Sequence, residues 1–273
     1  MQTSATFGGS GVVIGDTDRA PTASNSVWAT LERHRSVWAK KASLRGVYES
    51  YFRRILDSCS PMRPILELGS GPGFFKEYCP EIMATDIAPT PWIDAVVDGC
   101  CLPYGNGSVG NIVMIDVFHH IAQPQRFLEE ACRVLSPGGR IVMIEPWTSA
   151  VGYLFYRYVH HEDADRSVDP MQPFADEKDA FEGNAALPMI FFDDRGRSAL
   201  GRVADGRLCL IQMKRMPAVS WLLTGGFRPY GLLPGPVLPL ARCIDGILSP
   251  FSRWCAFRAM IVVERSTCES GNR

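Results

Sequence analysis

The sequence predicts an α/β fold with a mostly parallel sheet and helices on both faces. Three observations point there. Short apolar runs recur at 65–68, 82–87, 112–115 and 141–145, separated by helix-compatible stretches, which is the rhythm of strands joined by crossover helices. The first run, Ile65-Leu66-Glu67-Leu68, enters a turn with glycines at 69, 71 and 73, and Phe74 and Phe75 can then open a helix. Chemistry-bearing residues also fall at the ends of the runs, where parallel sheets bind their ligands.

Taken in order, residues 1–25 are rich in Gly, Ser and Thr and are expected to form a disordered tail. Residues 26–60 read as N-terminal helices. Leu44, Val47, Tyr48, Tyr51, Phe52 and Ile55 repeat at helical spacing and make one apolar stripe. Ser60-Pro61 and Pro64 end it before the first strand. This unit either packs on the sheet edge or sends Trp28, Trp38 or Tyr48 over the ligand cleft. Residues 61–147 form the ligand-binding core. Residues 148–207 break the rhythm: three tyrosines (153, 156, 158) and His160-His161-Glu162 precede an acidic stretch, with eight acidic and two basic side chains across 162–182. Within 208–266, Leu208–Lys214 and Ala256–Glu264 are the last strand candidates, about forty residues apart, too many for a hairpin. Pro234, Pro236 and Pro239 forbid a continuous helix over 232–240. This apolar insertion either packs on itself or offers a floor to a lipid tail or a membrane surface. Residues 267–273 are a tail.

The loop at 69–73 carries the most chemistry. Glycine removes the Cβ, so a ligand can approach the backbone, and loop amides point at it. The spacing is G-x-G-x-G. A dinucleotide loop needs G-x-G-x-x-G and a P-loop needs Lys-Ser/Thr after its last glycine, so a nicotinamide oxidoreductase is disfavoured. Glu67 would repel a pyrophosphate but suits a cationic ligand, such as an ammonium or sulfonium.

These residues resemble the cofactor loop of class I S-adenosylmethionine-dependent methyltransferases, and the resemblance continues downstream in order. Ile82 to Asp86 resembles the second strand, whose acid holds the ribose, with Ile87 packing on adenine. Val97-Asp98-Gly99, followed by Leu102-Pro103-Tyr104, resembles the adenine-contacting element. Ile112 to Asp116 resembles the fourth strand, and the following His119-His120 is similar to the branch related to ubiquinone and menaquinone methyltransferases. Phe127 to Leu135, Ser136-Pro137-Gly138-Gly139 and Ile141 to Glu145 resemble the next helix, turn and fifth strand. Many relatives have Asp where this chain has Asn111, a neutral departure.

The resemblance implies a Rossmann-like, mostly parallel seven-stranded sheet with the last strand antiparallel, N-terminal helices, and a helical cap in which 148–207 is a substrate lid. It implies S-adenosyl-L-methionine as cofactor, bound by Glu67, Gly69, Ser70, Gly71, Gly73, Asp86, Ile87, Asp98, Gly99, Cys100, Ile115 and Asp116. Methyl transfer from a sulfonium relies mainly on alignment. His120 is the candidate general base, with His119, His160, His161 and Glu162 as further candidates, and Glu145 ends a strand on the substrate side. If 117–120 is extended, His119 faces away from the cleft. The acceptor is expected to be a small-molecule, glycan-type or lipid-linked compound methylated on oxygen. The alternatives are C-methylation of a quinone-like ring or a cofactor-binding subunit without activity.

Bulk properties bound the rest. The 273 residues are 46% hydrophobic with a net charge of −1, enough for one elaborated domain. No sustained basic run exists, so nucleic acid is not an expected partner. Nine scattered cysteines show no C-x-x-C or Cys/His cluster, so no metal is expected and reduced thiols in the cytoplasm are. No transmembrane helix is expected; peripheral membrane contact through the apolar insertion is compatible with the sequence.

Overall fold

The computed structural model describes residues 25–160, 162–169, 172, 183–193 and 197–267. The expected tails at 1–25 and 267–273 fall almost wholly outside these residues, as do His161 and most of the acidic stretch.

Two helices lead the chain, α1 (Asn25–Lys40) and α2 (Ala42–Ser58). The α2 stripe is buried at 44, 47, 48, 51, 52 and 55 and seals one face of the sheet against Ile65, Val113, Val142, Ile144 and Val262. The strands are β1 (Ile65–Leu68), β2 (Met83–Asp86), β3 (Ala95–Val96), β4 (Val109–Ile115), β5 (Leu135–Pro146), β6 (Leu208–Met216) and β7 (Arg258–Arg265). Their order is β3-β2-β1-β4-β5-β7-β6. Pairings from β3 to β5 are parallel, and β7 runs against both β5 and β6.

The crossovers include α3 (Phe74–Tyr78) after β1 and α4 (Pro124–Val134) after β4. Alternation along each strand divides the core in two. Leu66, Ile112, Met114, Ile141 and Met143 face α4 through Phe127, Leu128 and Ala131, while Ile65, Val113, Val142 and Ile144 face α2. Burial on both faces explains why these strands read as unbroken apolar runs. Asn111 is structural: its amide donates to the carbonyls of Ser60 (3.1 Å) and Met62 (2.8 Å) and its Oδ1 accepts from Ser60 N at 2.8 Å.

The stretch 148–207 divides into several short elements. After α5 (Ala150–Tyr158), α6 (Leu187–Phe192) and α7 (Arg197–Arg202) follow, and Leu187, Phe191, Phe192 and Leu200 pack into the main core. Their apolar side chains gain more from the sheet face than from a mobile cover. The insertion between β6 and β7 is largely helical, as α8 (Val219–Thr224), α9 (Leu238–Leu248) and α10 (Ser252–Cys255). Pro239 sits in the first turn of α9, where its missing N–H costs nothing. The last strand, β7, is antiparallel, as expected, and β6 runs with the other strands.

Candidate active site

The turn after β1 has left-handed backbone at Gly69 (φ 68°) and Gly73 (φ 77°). A Cβ on Gly69 would lie 2.4 Å from Val117 Cγ2, and one on Gly73 would lie 2.8 Å from the Trp92 carbonyl. Both positions therefore require glycine twice over, for conformation and for space. Asp86, at the end of β2, ties the turn down: Oδ2 accepts from Gly71 N at 2.8 Å and Oδ1 from Ala88 N at 2.9 Å. A carboxylate offers about four acceptor sites, so both oxygens retain capacity for ribose hydroxyls. Burial raises the Asp86 carboxyl above its ordinary value despite these amides. Glu67 is buried beneath the turn, accepts from Ser70 Oγ at 2.8 Å, and is pushed up to about 7 by burial, with the Ser70 hydrogen bond acting in the opposite sense.

One cavity of about 1270 Å³ runs from this turn past the ends of β2, β4 and β5 to the α8–α9 insertion. Every cofactor residue identified from the sequence lines it except Gly73, which shapes the turn from behind. Ile87 is half exposed (51%) into the cavity, a flat apolar surface suited to an adenine. Asp98 Oδ1 accepts from Cys100 N at 2.8 Å, which fixes the Gly99–Cys100 rim. Of the three aromatic residues considered as cleft covers, Tyr48 faces the cavity. Trp28 instead stacks on Trp92 (5.4 Å between centroids) and Trp38 on Phe74 (4.0 Å).

Asp116 ends β4 with φ 58° and accepts from Arg258 Nη2 at 2.6 Å. Arg258 was not legible as a site residue. It begins β7, pairs in register with Pro146 and Met216 at the ligand end of the sheet, and lies over the Trp221 ring at 4.2 Å. Burial alone would lower the Arg258 pKa, but Asp116 outweighs it and keeps the guanidinium charged. Its Nε and Nη1 are buried without a hydrogen-bond partner, as is Asp116 Oδ1.

The His pair departs from expectation. Phe118–His120 is a 3-10 turn, not an extended segment, so the two imidazoles lie side by side (4.1 Å between centroids) and both line the cavity. Glu145 is fully buried and turned away from the cavity. Its Oε1 accepts from Val117 N (2.9 Å) and Phe118 N (2.8 Å), and its Oε2 meets His119 Nδ1 at 2.6 Å. The strand-end acid thus builds the turn that carries the histidines, because three donors satisfy it where water cannot. Glu162, beyond α5, closes the group. It lies 3.2 Å from His119 Nε2, 3.8 Å from His120 Nε2 and 3.8 Å from His160 Nδ1. Burial lowers His119, but the hydrogen bonds to Glu145 and Glu162 outweigh it and raise the imidazole to about 10. Burial likewise raises Glu162, and the bond to His119 outweighs it, leaving the carboxyl at about 2. His161 lies outside the described residues.

Comparison with known proteins agrees with this geometry. A family described as a methyltransferase domain matches residues 66–143. No curated protein matches the chain. A SAM-dependent methyltransferase from Archaeoglobus fulgidus is 14% identical, with 81% of this chain and 94% of that one covered and a TM-score of 0.50. A geranyl diphosphate C-methyltransferase from Streptomyces coelicolor A3(2), solved with Mg2+, geranyl diphosphate and S-adenosyl-L-homocysteine, is 13% identical over 85% of this chain and 82% of that one, with a TM-score of 0.45. At these identities the structural likeness speaks for the fold alone. The strand order and this likeness give a Rossmann-like methyltransferase fold, and residues 66–143 match a methyltransferase domain. The matches do not single out the quinone-methyltransferase branch.

Proposed function

We propose that the protein transfers a methyl group to an oxygen of an apolar or lipid-linked small molecule that enters the cavity from the α8–α9 side. One observation carries this reading: a single cavity of about 1270 Å³ joins the glycine turn to the His pair and to the exposed insertion. Drug-sized ligands occupy roughly 300–1,000 Å³, so cofactor and acceptor fit together. Bound S-adenosylmethionine supplies a methyl group whose leaving atom, a sulfonium sulfur, departs as a neutral thioether.

The chain's own residues have distinct tasks. Glu67, Gly69, Ser70 and Gly71 would hold the methionine end, with Asp86, Ile87 and the Asp98–Cys100 rim around the nucleoside. Asp116 and Arg258 sit between cofactor and acceptor. The unpartnered Nε and Nη1 of Arg258 would receive an anionic or strongly polar group, since a buried donor without a partner costs about 1–3 kcal/mol. His120 stands on the acceptor side, where it would take the hydroxyl proton or hold the hydroxyl in line. C-methylation of a ring is the second reading, favoured by the two imidazoles lining one wall.

The mouth of the cavity supports a lipid-linked acceptor. Leu232 is 83% exposed at the rim, and Leu240, Ile244, Ile247, Phe251 and Trp254 continue an exposed apolar row along α9 and α10. Their spacing of three and four residues places them on one face, flanked by exposed Arg242 and Arg253. Such a face suits the interface of an anionic membrane. Among the described residues no helix is long and apolar enough to cross a membrane, so the contact would be peripheral. The eight free cysteines of the described residues fit a reducing cytoplasm, where we place the reaction.

The test is turnover of radiolabelled S-adenosylmethionine with a total lipid extract and with its water-soluble counterpart. Label passing into the lipid fraction, reduced about 10²–10⁴-fold in kcat by His120→Ala, is the expected result. Label passing only into water-soluble products would remove the lipid-linked acceptor.

A further inference from the structure

His119 and His120 follow β4, while Glu162 follows α5, more than forty positions along the chain. Folding brings one ligand atom from each within 4.8 Å of the others on the acceptor wall of the cavity. We propose that these three side chains form a binding site for one divalent transition-metal ion with a zinc-like preference for imidazole. The sequence expectation of no metal rested on local spacing, and these ligands have none.

Distance is the first argument. Donors bound tetrahedrally at about 2.0–2.1 Å lie about 3.3–3.4 Å from one another. Glu162 Oε2 stands 3.2 Å from His119 Nε2, close to that separation, and its Oε1 stands 3.8 Å from His120 Nε2. Charge is the second. The buried Glu145 and the partly buried Glu162 lie on either side of the His119 imidazole. Two carboxylates set against one imidazole favour a cation at the point between them.

The third argument is the support behind the ligands. Glu145 holds His119 Nδ1 at 2.6 Å, which assigns the proton to Nδ1 and aims the Nε2 lone pair at the shared point. A carboxylate behind a histidine is the usual way proteins orient a ligating ring. Gly183 closes the other side: a Cβ there would come within 2.8 Å of His119 and 2.9 Å of His120 ring atoms. Asn184 N donates to the His119 carbonyl at 2.9 Å. Two imidazoles and one carboxylate leave a coordination position toward the cavity, as catalytic sites do. The set favours zinc or its neighbours over magnesium, which prefers oxygen ligands. Assigning the open position to an oxygen of the acceptor rests on the methyltransferase reading; binding of the ion does not. As a ligand His120 would hold the acceptor oxygen in line, the second of the two tasks proposed for it above.

The experiment is calorimetric titration of the full chain, stripped with a chelator, with zinc chloride and in parallel with magnesium chloride. One zinc per chain at micromolar affinity or tighter is expected, with no magnesium binding. His120→Ala and Glu162→Gln should each weaken zinc by about tenfold to hundredfold or more, the range that loss of a supporting group already causes. If Glu162→Gln fails to fold, Glu162→Asp keeps the charge but withdraws the oxygen, and should weaken zinc as well. Wild-type protein that takes up no zinc, or folded variants that bind it as tightly as wild type, would overturn the site and leave an ion-pair cluster. S-adenosylmethionine titrated into the same stripped protein reports on the methyltransferase reading separately. Cofactor binding without zinc binding removes only the metal, and zinc binding without cofactor binding removes only the acceptor assignment.

Discussion

Asp86 and Glu67 are two carboxylates on the same glycine turn, and the proposed cofactor site gives them different tasks. Asp86 already accepts two amides, so it acts as a fixed acceptor, and Asp86→Ala should weaken S-adenosylmethionine binding by about 1.5–3 kcal/mol in calorimetry. Unchanged affinity in a folded variant would remove Asp86 from the site. Glu67 instead supplies a titrating charge. Burial lifts it to about 7, so in the empty protein it is largely neutral below that pH. A cationic ligand favours the ionised form, and affinity should therefore fall as pH drops through 7. Glu67→Gln should flatten that dependence; a slope equal to wild type would show that another group is responsible. Stability carries the opposite sign. The folded pKa lies above the unfolded one, so the contribution is full below the unfolded value and is lost as pH rises through about 7.

Among the elements, the α8–α9 insertion depends on one lysine. Lys41, between α1 and α2, donates to the carbonyls of Thr224 (2.8 Å), Gly226 (3.0 Å) and Tyr230 (2.8 Å), and burial lowers its pKa. Lys41→Met keeps the stem but strands three carbonyls. It should cost about 1–3 kcal/mol in denaturant unfolding, and a change below a few tenths would show that water replaces the ammonium freely. The segment from α5 to Glu162 covers the acceptor wall through Phe155, Tyr156, Val159 and His160, yet Val151, Leu154, Tyr158 and Val159 are exposed. Such a half-packed element opens more easily than the sheet. Hydrogen exchange should find 150–162 less protected than 141–145 in the empty protein and slowed by cofactor with acceptor. Equal protection without ligand would rule out a moving cover. α6 and α7 should stay protected throughout, because their side chains belong to the main core.

For the molecule as a whole, the exposed row on α9 and α10 predicts association with vesicles containing anionic lipid. Burying one large apolar side chain is worth about 1.5–3 kcal/mol. Ile247→Glu and Trp254→Glu should therefore each shift co-sedimentation strongly toward the supernatant while S-adenosylmethionine affinity stays the same, since neither residue lines the cavity. Wild-type protein that remains in the supernatant at low salt would turn this face from a membrane contact into an interface with another chain or an idle surface.

The sequence by itself determined the sheet and the glycine turn. These rest on short-range rules: short apolar runs make strands, positive φ selects glycine, Glu67 lies just before the turn, and Asp86 ends the next strand, 13 residues after Gly73. Tertiary structure decided the acceptor side. Glu145 looked like a substrate-facing acid until β5 placed it under the 118–120 turn, where backbone amides and His119 absorb it. His119 looked like the outward half of a pair until that turn wound into a 3-10 helix. Arg258 carried no local signal, because its meaning comes from antiparallel pairing that sets it beside Asp116, 142 positions earlier in the chain. Glu162 joined the histidines only through the fold of α5 against the sheet. The residues proposed to hold the cofactor fall at consecutive strand ends and are written locally, whereas those proposed to meet the acceptor come from loops distant in the chain, and only packing brings them together.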